Sequence, residues 1–448
     1  MKNNIKKMSR KKLNNVQFIT LIFLLLILIG AFLLWLPMSQ NPGEDLSFID
    51  ALFVATSAVC VTGLTPINIS EVLNTTGHSI MLVLFEIGGL GFMTVALMIA
   101  IMFRKKVSLQ SRLLMKEMIN FDNTGGVVSL FKFVISFSVS VQLIGAVLLS
   151  IKFIPTYGVM TGLYFGLFHS ISAFCNAGFD LFGDSLLSFQ QDPFVLLVIS
   201  GLIIAGDFGF IVWHDLLYYK KDKRMTLHTK IALTVTLSLL VGGTILFMIT
   251  DRFSHMPLVD QIVNSFFLSV TPRTAGFASI DYGKMSYAGI ILTLVLMFIG
   301  GTSGSTAGGV KTTTIGVLLV QLKSTLKGRN EAEFQGRTIP KMIVMKSFVF
   351  FFFAAVICLL SALILSMTEF IPENSGIEYV FFEVVSAFAT VGLTMGLTPD
   401  LTVFGKFLIM TLMFIGRVGL YTVMYAILSR DPSDHNNYSY PKESVLVG

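Results

Sequence analysis

The sequence predicts an all-α polytopic membrane protein, and three observations support that class. Hydrophobic residues make up 54% of the 448 residues and charged residues only 13%, whereas soluble domains carry about one-quarter charged residues. The stretches 18–36 and 343–365 are almost wholly apolar, and about 20 apolar residues cross the roughly 30 Å hydrocarbon core of a bilayer. A short pattern built around one glycine also recurs four times along the chain.

Long apolar runs separated by charged breaks predict eight spans. They lie near 16–36, 77–103, 129–154, 193–217, 229–250, 286–321, 343–367 and 403–428. Basic residues cluster before the first span and at every second break, as at 104–106, 220–224 and 323–329. The positive-inside rule then predicts that those breaks and both termini are cytoplasmic. The expected location is the plasma membrane.

The basic N-terminus has two other readings that the sequence disfavours. The apolar run behind it is longer than a signal-peptide core of about 7–15 residues, so it is interpreted as a retained first span. The net charge of +6 and the pI near 9.1 are explained by lysines just inside the spans, and nucleic-acid binding is not expected.

Four tetrapeptides of the form x-x-Gly-(Leu/Phe) lie in the expected outer breaks, each after a short apolar stretch. They are Val61-Thr62-Gly63-Leu64, Asn176-Ala177-Gly178-Phe179, Thr274-Ala275-Gly276-Phe277 and Thr390-Val391-Gly392-Leu393. A second, glycine-rich marker follows in the next span each time, at 88–92, 206–210, 300–304 and 416–420. Two markers in one order, four times, indicate tandem repeats of span, half-helix, short loop and span.

Four such loops are expected to meet around one central pore with approximate fourfold symmetry. Non-helical backbone at membrane depth is tolerated only where it is buried in protein or lines an aqueous cavity. Each half-helix would point the negative end of its dipole at the centre, which favours a cation. Glycine permits dihedrals in which carbonyl oxygens face the axis and replace the hydration shell of an ion.

The sixth span contains a glycine-rich interruption at 300–314. It runs Gly300-Gly301-Thr302-Ser303-Gly304-Ser305-Thr306-Ala307-Gly308-Gly309-Val310-Lys311-Thr312-Thr313-Thr314. Glycines and hydroxyl side chains disfavour a continuous helix, so an intramembrane loop is predicted. A phosphate-binding loop does not fit, because Val310 separates Gly309 from Lys311 and no strand precedes the glycines. Lys311 either plugs the cavity electrostatically or extends to the cytoplasm.

Asp207 and Arg417 are ionisable residues inside expected spans, where charges are costly and usually functional. Each follows the first glycine of its second marker. Because repeats two and four should lie diagonally across the pore, the two residues form a candidate charge pair across or beside the inner cavity. In the alternative interpretation Arg417 binds free loop carbonyls and Asp207 pairs elsewhere.

The tetrapeptides, the interrupted sixth span and the arginine of the last span resemble the Trk/Ktr/HKT superfamily, and most closely the bacterial Ktr membrane subunit. The resemblance covers essentially the whole chain and implies potassium uptake. It makes Gly63, Gly178, Gly276 and Gly392 the filter glycines; glycine at all four positions goes with potassium selectivity, and serine in the first loop with sodium permeation. It assigns the gate to Gly300, Gly301, Gly304, Ser305, Thr306, Gly308, Gly309, Lys311 and Arg417.

The resemblance also implies partners. It predicts a homodimer on a cytosolic ring of separately encoded, nucleotide-binding regulatory subunits, with sodium as a stimulating ion and no covalent cofactor. The sequence leaves channel-like and ion-coupled transport as alternatives. It also leaves a sodium-permeable transporter of the same architecture or, less favoured by the tandem repeats, a secondary transporter of a small solute. Six scattered histidines offer no catalytic or metal cluster, so an enzyme is not expected.

The expected organisation is therefore four repeats joined by cytoplasmic linkers. The segments are a basic N-terminus 1–15, repeat 1 at 16–103, a linker 104–128, repeat 2 at 129–217, a linker 218–228, repeat 3 at 229–322, a linker 323–342, repeat 4 at 343–430 and a C-terminal tail 431–448. The resemblance makes the tail a dimer contact, whereas its composition is typical of a frayed end.

Overall fold

The computed structural model describes residues 15–91, 127–222, 225–251, 256–372 and 376–419. Within them, four helices are long and apolar enough to cross a bilayer, and a fifth span results when one bent pair is counted. The long helices are Asn15–Trp35 (α1), Val127–Tyr157 (α5), Leu227–Thr250 (α9) and Lys341–Thr368 (α13). Large apolar side chains such as Leu28 and Val147 are exposed on them, as expected of a surface that faces lipid. The N-terminus to residue 14, the basic break at 104–106 and the tail 431–448 lie outside the described residues.

A shorter apolar helix follows each long one and ends at or just before a tetrapeptide. These helices are Phe48–Cys60 (α2), Val159–Cys175 (α6), Leu258–Val270 (α10) and Ile377–Ala389 (α14). Helix α6 begins directly after α5, because Gly158 with φ of 85° turns the chain between them. A left-handed turn of this kind is easy for glycine.

A third kind of helix follows each loop and begins at a side-chain cap. The helices are Thr75–Leu90 (α4), Pro193–Asp207 (α7), Tyr287–Phe298 (α11) and Val403–Val418 (α15), and a short helix, Ile69–Val72 (α3), precedes α4. Oxygens of Asn74, Asp192, Ser286 and Thr402 accept amide hydrogen bonds at their N-termini.

These helices end at the second glycine marker and are shorter than the predicted spans. Helix α4 stops before Gly91 and α15 before Gly419, and φ is positive at both glycines. Helix α7 stops at Asp207, and Phe210–Asp222 (α8) continues after a bend of 97°. The fourth predicted span is therefore broken rather than continuous.

The sixth predicted span contains a long interruption, and the linker that follows contains the two described strands. Helix α11 ends at Phe298, and Thr312–Leu326 (α12) begins after the non-helical segment 299–311. Strands Ala332–Phe334 (β1) and Arg337–Ile339 (β2) then form an antiparallel hairpin. The chain is mostly helical, as predicted, and this hairpin is a local exception. Gln335 and Gly336, both with positive φ, make the two-residue turn that hairpins favour.

The short helices pack in a closed order around the molecule. Each short helix contacts one of the helices that follow a loop, in cyclic order. Helix α6 contacts α4, α10 contacts α7, α14 contacts α11, and α2 contacts α15. The contact from α15 back to α2 includes an ion pair of 2.6 Å between Lys406 Nζ and Asp50 Oδ1. This closed order brings the C-terminal ends of the four short helices towards one another.

Candidate functional site

The four tetrapeptide glycines form a closed ring of contacts. Each glycine faces the carbonyl oxygen of the middle residue in the next tetrapeptide. The contacts run from Gly63 to Ala177, from Gly178 to Ala275, from Gly276 to Val391 and from Gly392 to Thr62. A Cβ added to Gly63 would lie 2.7 Å from the facing oxygen, and one added to Gly178 would lie 2.8 Å away. No side chain larger than hydrogen fits between adjacent loops.

The backbone of all four tetrapeptides is left-handed at the same two positions. For the first residue, φ is 57° at Val61, 60° at Asn176, 77° at Thr274 and 53° at Thr390. For the glycine, φ is 97° at Gly63, 70° at Gly178, 78° at Gly276 and 94° at Gly392. Left-handed backbone is an outlier for β-branched residues, and such strain costs about 1–3 kcal/mol per residue. Its recurrence at four matching positions indicates a functional demand on the main chain.

Hydroxyl groups at the ends of the short helices form hydrogen bonds with this backbone. The amides of Gly63 and Gly392 donate to Ser57 Oγ at 3.0 Å and Ser386 Oγ at 3.1 Å. In the other two loops the hydroxyl donates instead to a carbonyl just after the glycine. These bonds are Ser172 Oγ to Phe179 O at 2.8 Å and Thr271 Oγ1 to Phe277 O at 2.6 Å.

The glycine-rich segment 299–311 packs directly against the third and fourth tetrapeptides. A Cβ on Gly300 would lie 3.1 Å from Thr274 Cγ2, and a Cβ on Gly308 would lie 3.0 Å from Thr390 Cβ. Gly309 has φ of 60° and lies against Ala389, the last residue of α14. Small residues are therefore required for this segment to lie so close to the loops.

Hydrogen bonds join the same segment to the ends of α6 and α7 and to the start of α8. Thr306 donates from its amide to Gly206 O and from Oγ1 to Phe174 O, both at 3.2 Å. The Phe210 amide, at the start of α8, donates to Gly304 O at 2.9 Å. Two further predicted gate residues have partners nearby in the sequence. Gly301 O accepts from Thr312 N at the start of α12 at 3.0 Å, and Ser305 Oγ accepts from Ala307 N at 3.2 Å.

The first glycine of the second marker serves helix packing in three of the four repeats. A Cβ added there would meet a main-chain carbonyl near the end of a short helix. A Cβ added to Gly88 would lie 2.9 Å from the carbonyl carbon of Val59. The corresponding distances are 3.0 Å from a Cβ on Gly206 to that of Phe174 and 2.9 Å from a Cβ on Gly416 to that of Phe388. Gly300 differs, because it faces Gly308 of its own segment.

Arg417 binds main-chain carbonyls rather than Asp207. Its Nη2 donates to Gly88 O at 2.5 Å and Gly89 O at 3.0 Å, and its Nη1 donates to Thr306 O. The guanidinium thus joins the end of α4 to the glycine-rich segment. Lys311 Nζ likewise donates to Ala307 O at 2.5 Å and to Gly308 O at 3.1 Å. The ammonium is therefore held by its own segment.

Asp207 pairs with Arg273, a residue that the sequence interpretation missed. Arg273 Nη1 lies 3.1 Å from Asp207 Oδ2, with side-chain exposures of 0% and 1%. The structure therefore gives Asp207 and Arg417 separate partners instead of the predicted charge pair. The signal for Arg273 was its place directly before the third tetrapeptide, where the other loops have Cys60, Cys175 and Ala389.

Other buried polar side chains serve the surrounding framework. Glu86 Oε2 accepts from Gln142 Nε2 at 2.9 Å and from Cys175 Sγ at 3.0 Å. Glu383, also missed from sequence, accepts hydrogen bonds from Thr394 and Thr398 behind the fourth loop. Among the described residues, no group of three or more His, Cys, Asp or Glu side chains is placed to hold a metal ion.

Fold and site together define a polytopic helical membrane protein whose four glycine tetrapeptides meet at one place. The family described as TrkH, cation transport protein, matches residues 3–439. The chain belongs to this TrkH/Ktr family of cation transport proteins. The resemblance inferred from the sequence is thereby confirmed.

Individual relatives cover almost the entire chain. The potassium/sodium uptake protein NtpJ of Enterococcus hirae is 52% identical over 99% of both chains. The Ktr system potassium uptake protein B of Bacillus subtilis is 42% identical over 96% of both. The crystal structure of the potassium transporter TrkH from Vibrio parahaemolyticus matches with a TM-score of 0.73 and 20% identity, covering 95% of this chain and 87% of that one. That likeness shows the polytopic membrane fold.

Proposed function

We propose that this chain is the pore-forming subunit of a Ktr-type potassium uptake system in the plasma membrane. The observation that carries the proposal is the closed ring of Gly63, Gly178, Gly276 and Gly392, with left-handed backbone at matching positions in all four tetrapeptides. We infer four tandem repeats and eight spans around one pore with approximate fourfold symmetry, and the cyclic packing of the short helices supports that arrangement.

In this proposal potassium is bound by main-chain oxygens. The three residues ending in each filter glycine are proposed to present their carbonyl oxygens to the axis, and the left-handed backbone at the first and third of them supports this. Such oxygens replace the water around a dehydrated ion. The short helices α2, α6, α10 and α14 add the negative ends of their dipoles at the same place.

The glycine-rich segment 299–311 is proposed as the gate. It lies against two filter loops, and its Thr306 carbonyl is bound by Arg417. Glycines let such a segment change backbone conformation at little steric cost. A shift of this segment would open or close the path below the filter, and Arg417 with Lys311 would stabilise the closed arrangement through the carbonyls that they bind.

The partners are proposed from the family and from the names of the relatives. The name Ktr system potassium uptake protein B denotes one component of a multi-subunit system. We propose that this chain forms a homodimer on a cytosolic ring of nucleotide-binding subunits, with both termini in the cytoplasm and sodium as a stimulating ion. Nucleotide would then act only through the ring.

Rubidium uptake tests the proposal. The chain is reconstituted in liposomes loaded with potassium, and influx of labelled rubidium is measured with and without an excess of external potassium, sodium or choline. Competition by potassium at much lower concentration than sodium is the expected result. Uptake that choline inhibits as well as potassium does, or no uptake above empty liposomes with and without the cytosolic ring, would contradict it.

A sodium-permeable transporter of the same architecture is the second candidate. The relative from Enterococcus hirae is named a potassium/sodium uptake protein. Equal competition by sodium and potassium in the same liposomes would favour this candidate. The four filter glycines favour potassium, because a uniform ring presents main-chain oxygens only.

A further inference from the structure

Arg273 directly precedes the third tetrapeptide, and it is the only charged residue at this position among the four loops. Its ion pair with Asp207 therefore lies next to the proposed filter. The matching residues Cys60, Cys175 and Ala389 are neutral and, like Arg273, fully buried. The third loop is thus the one in which a full positive charge directly precedes the strained tetrapeptide. In a low-dielectric site such a charge acts strongly on a cation a few ångströms away.

Asp207 supplies the compensating charge. The carboxylate and guanidinium form an ion pair of 3.1 Å, and none of their oxygen or nitrogen atoms has a hydrogen-bond partner among the residues that the structure describes. Removing one member of a buried pair leaves the other charge uncompensated. Lys311 also interacts electrostatically with Asp207, but its ammonium is already bound by the carbonyls of Ala307 and Gly308.

Asp207 is also attached to the proposed gate. The backbone carbonyl of Asp207 accepts from Thr302 N at 3.1 Å and from Thr302 Oγ1 at 2.8 Å. Its carboxylate lies so close to Gly301 that no Cβ could be placed there. One residue, at the break between α7 and α8, therefore contacts both the filter arginine and the start of the gate segment.

We propose that Arg273 and Asp207 are a positioning pair that sets the cation affinity of the filter and links it to the gate segment. The inference rests on the proposed function. With Asp207 in place, the charge of Arg273 is compensated within the pair, and the third loop is held to the gate. Without it, the positive charge of Arg273 repels the incoming cation while the backbone path stays the same.

The test compares Asp207→Asn with the double variant Asp207→Asn/Arg273→Gln in rubidium uptake by liposomes. For the single variant we expect KM for rubidium to rise roughly tenfold, within the range usual for coupled sites, with little change in the maximal rate. The double variant removes both charges of the pair, so no uncompensated Arg273 charge remains and its KM should return towards that of the unaltered chain. Asp207→Glu, which keeps the charge, should lie between the two.

Lys152→Gln is the matched control, because it removes one partner of an exposed ion pair with Asp192; its KM should not change. If Asp207→Asn accumulates and its KM is unaltered, or if the double variant is as impaired as the single one, the inference is overturned. If Asp207→Asn does not accumulate in the membrane, the double variant decides: accumulation with near-normal KM supports charge compensation, and loss of both variants excludes it.

The outcome also separates this inference from the proposed function. Failure of the unaltered chain to transport rubidium refutes the pore itself. Normal transport by the unaltered chain with an unchanged KM in Asp207→Asn refutes only the pair.

Discussion

At the scale of single residues, the proposed filter glycines combine positive φ with a lack of space for any side chain, and only glycine among the amino acids suits both. Gly63 has φ of 97°, and a Cβ there would lie 2.7 Å from Ala177 O. Gly43 has a similar φ of 95° but no neighbouring atom within 4 Å of an added Cβ. A side chain at Gly43 would therefore only strain the backbone, whereas a side chain at Gly63 would also collide with the next loop.

Gly63→Ser should weaken the preference for potassium over sodium, because the side chain displaces Ala177 O from its position in the ring. Gly43→Ser should leave the preference unchanged and lower stability by about 1–2 kcal/mol, the usual cost of left-handed backbone. Competition of sodium against rubidium uptake measures the first effect, and thermal unfolding in detergent measures the second. Equal selectivity in the two variants would mean that the ring does not select the ion.

Arg417 is the second residue whose contacts give a directional prediction. Its guanidinium binds Gly88 O, Gly89 O and Thr306 O, so it holds the gate segment to the end of α4. Loss of these charge-assisted bonds should free the segment. Arg417→Gln should raise rubidium influx measured without the cytosolic ring, by several-fold if the closed state is normally favoured by about 1 kcal/mol or more.

Arg329→Gln is the control for this change, since Arg329 is an exposed partner of Glu333 near the hairpin. Its basal influx should match that of the unaltered chain. A decrease in influx for Arg417→Gln, with normal protein levels, would instead show that the arginine supports the open state.

At the scale of elements, the gate segment is defined by how closely it lies against the filter loops. A Cβ on Gly308 would lie 3.0 Å from both Cβ and Cγ2 of Thr390. Gly308→Ala should therefore displace the segment or the fourth filter loop and reduce the maximal rate of uptake severalfold. Adding Thr390→Ala removes Oγ1, the nearest atom, together with Cγ2, and should restore part of the lost rate.

Gly328→Ala serves as the comparison, because Gly328 also has positive φ, 69°, but no atom within 4 Å of an added Cβ. Uptake rates normalised to protein amount provide the measurement. Absence of rescue in Gly308→Ala/Thr390→Ala would show that the contact with Thr390 is not what limits the substitution.

The elements also show what the sequence could and could not predict. Repeated glycines and apolar runs identified the loops, the short helices and the interruption of the sixth span, because each depends on local composition. The break at Asp207–Phe210 was not predicted, since it depends on Gly304 O accepting the Phe210 amide from a distant segment. The Asp207–Arg273 pair was missed for the same reason: spacing indicated which charges were buried but not which of them met.

At the scale of the whole molecule, the ring closes where α15, the last helix that the structure describes, meets α2. Lys406 of α15 and Asp50 of α2 form an ion pair of 2.6 Å with side-chain exposures of 15% and 19%. This junction joins two helices that are far apart in the sequence, and it depends on packing and polar contacts. A half-buried pair here contributes more than the exposed pair of Lys284 and Asp281, whose exposures are 85% and 50%.

Lys406→Met should therefore lower the free energy of unfolding by about 1 kcal/mol, whereas Lys284→Met should leave it unchanged. Because α2 carries the first filter loop at its C-terminal end, loosening this junction should also shift Gly63 relative to Gly392. We expect Lys406→Met to reduce the stabilisation that potassium gives in detergent, measured as the rise in Tm between choline and potassium buffers. A lower Tm with an unchanged potassium-dependent rise would confine the role of the junction to stability and separate closure of the ring from ion binding.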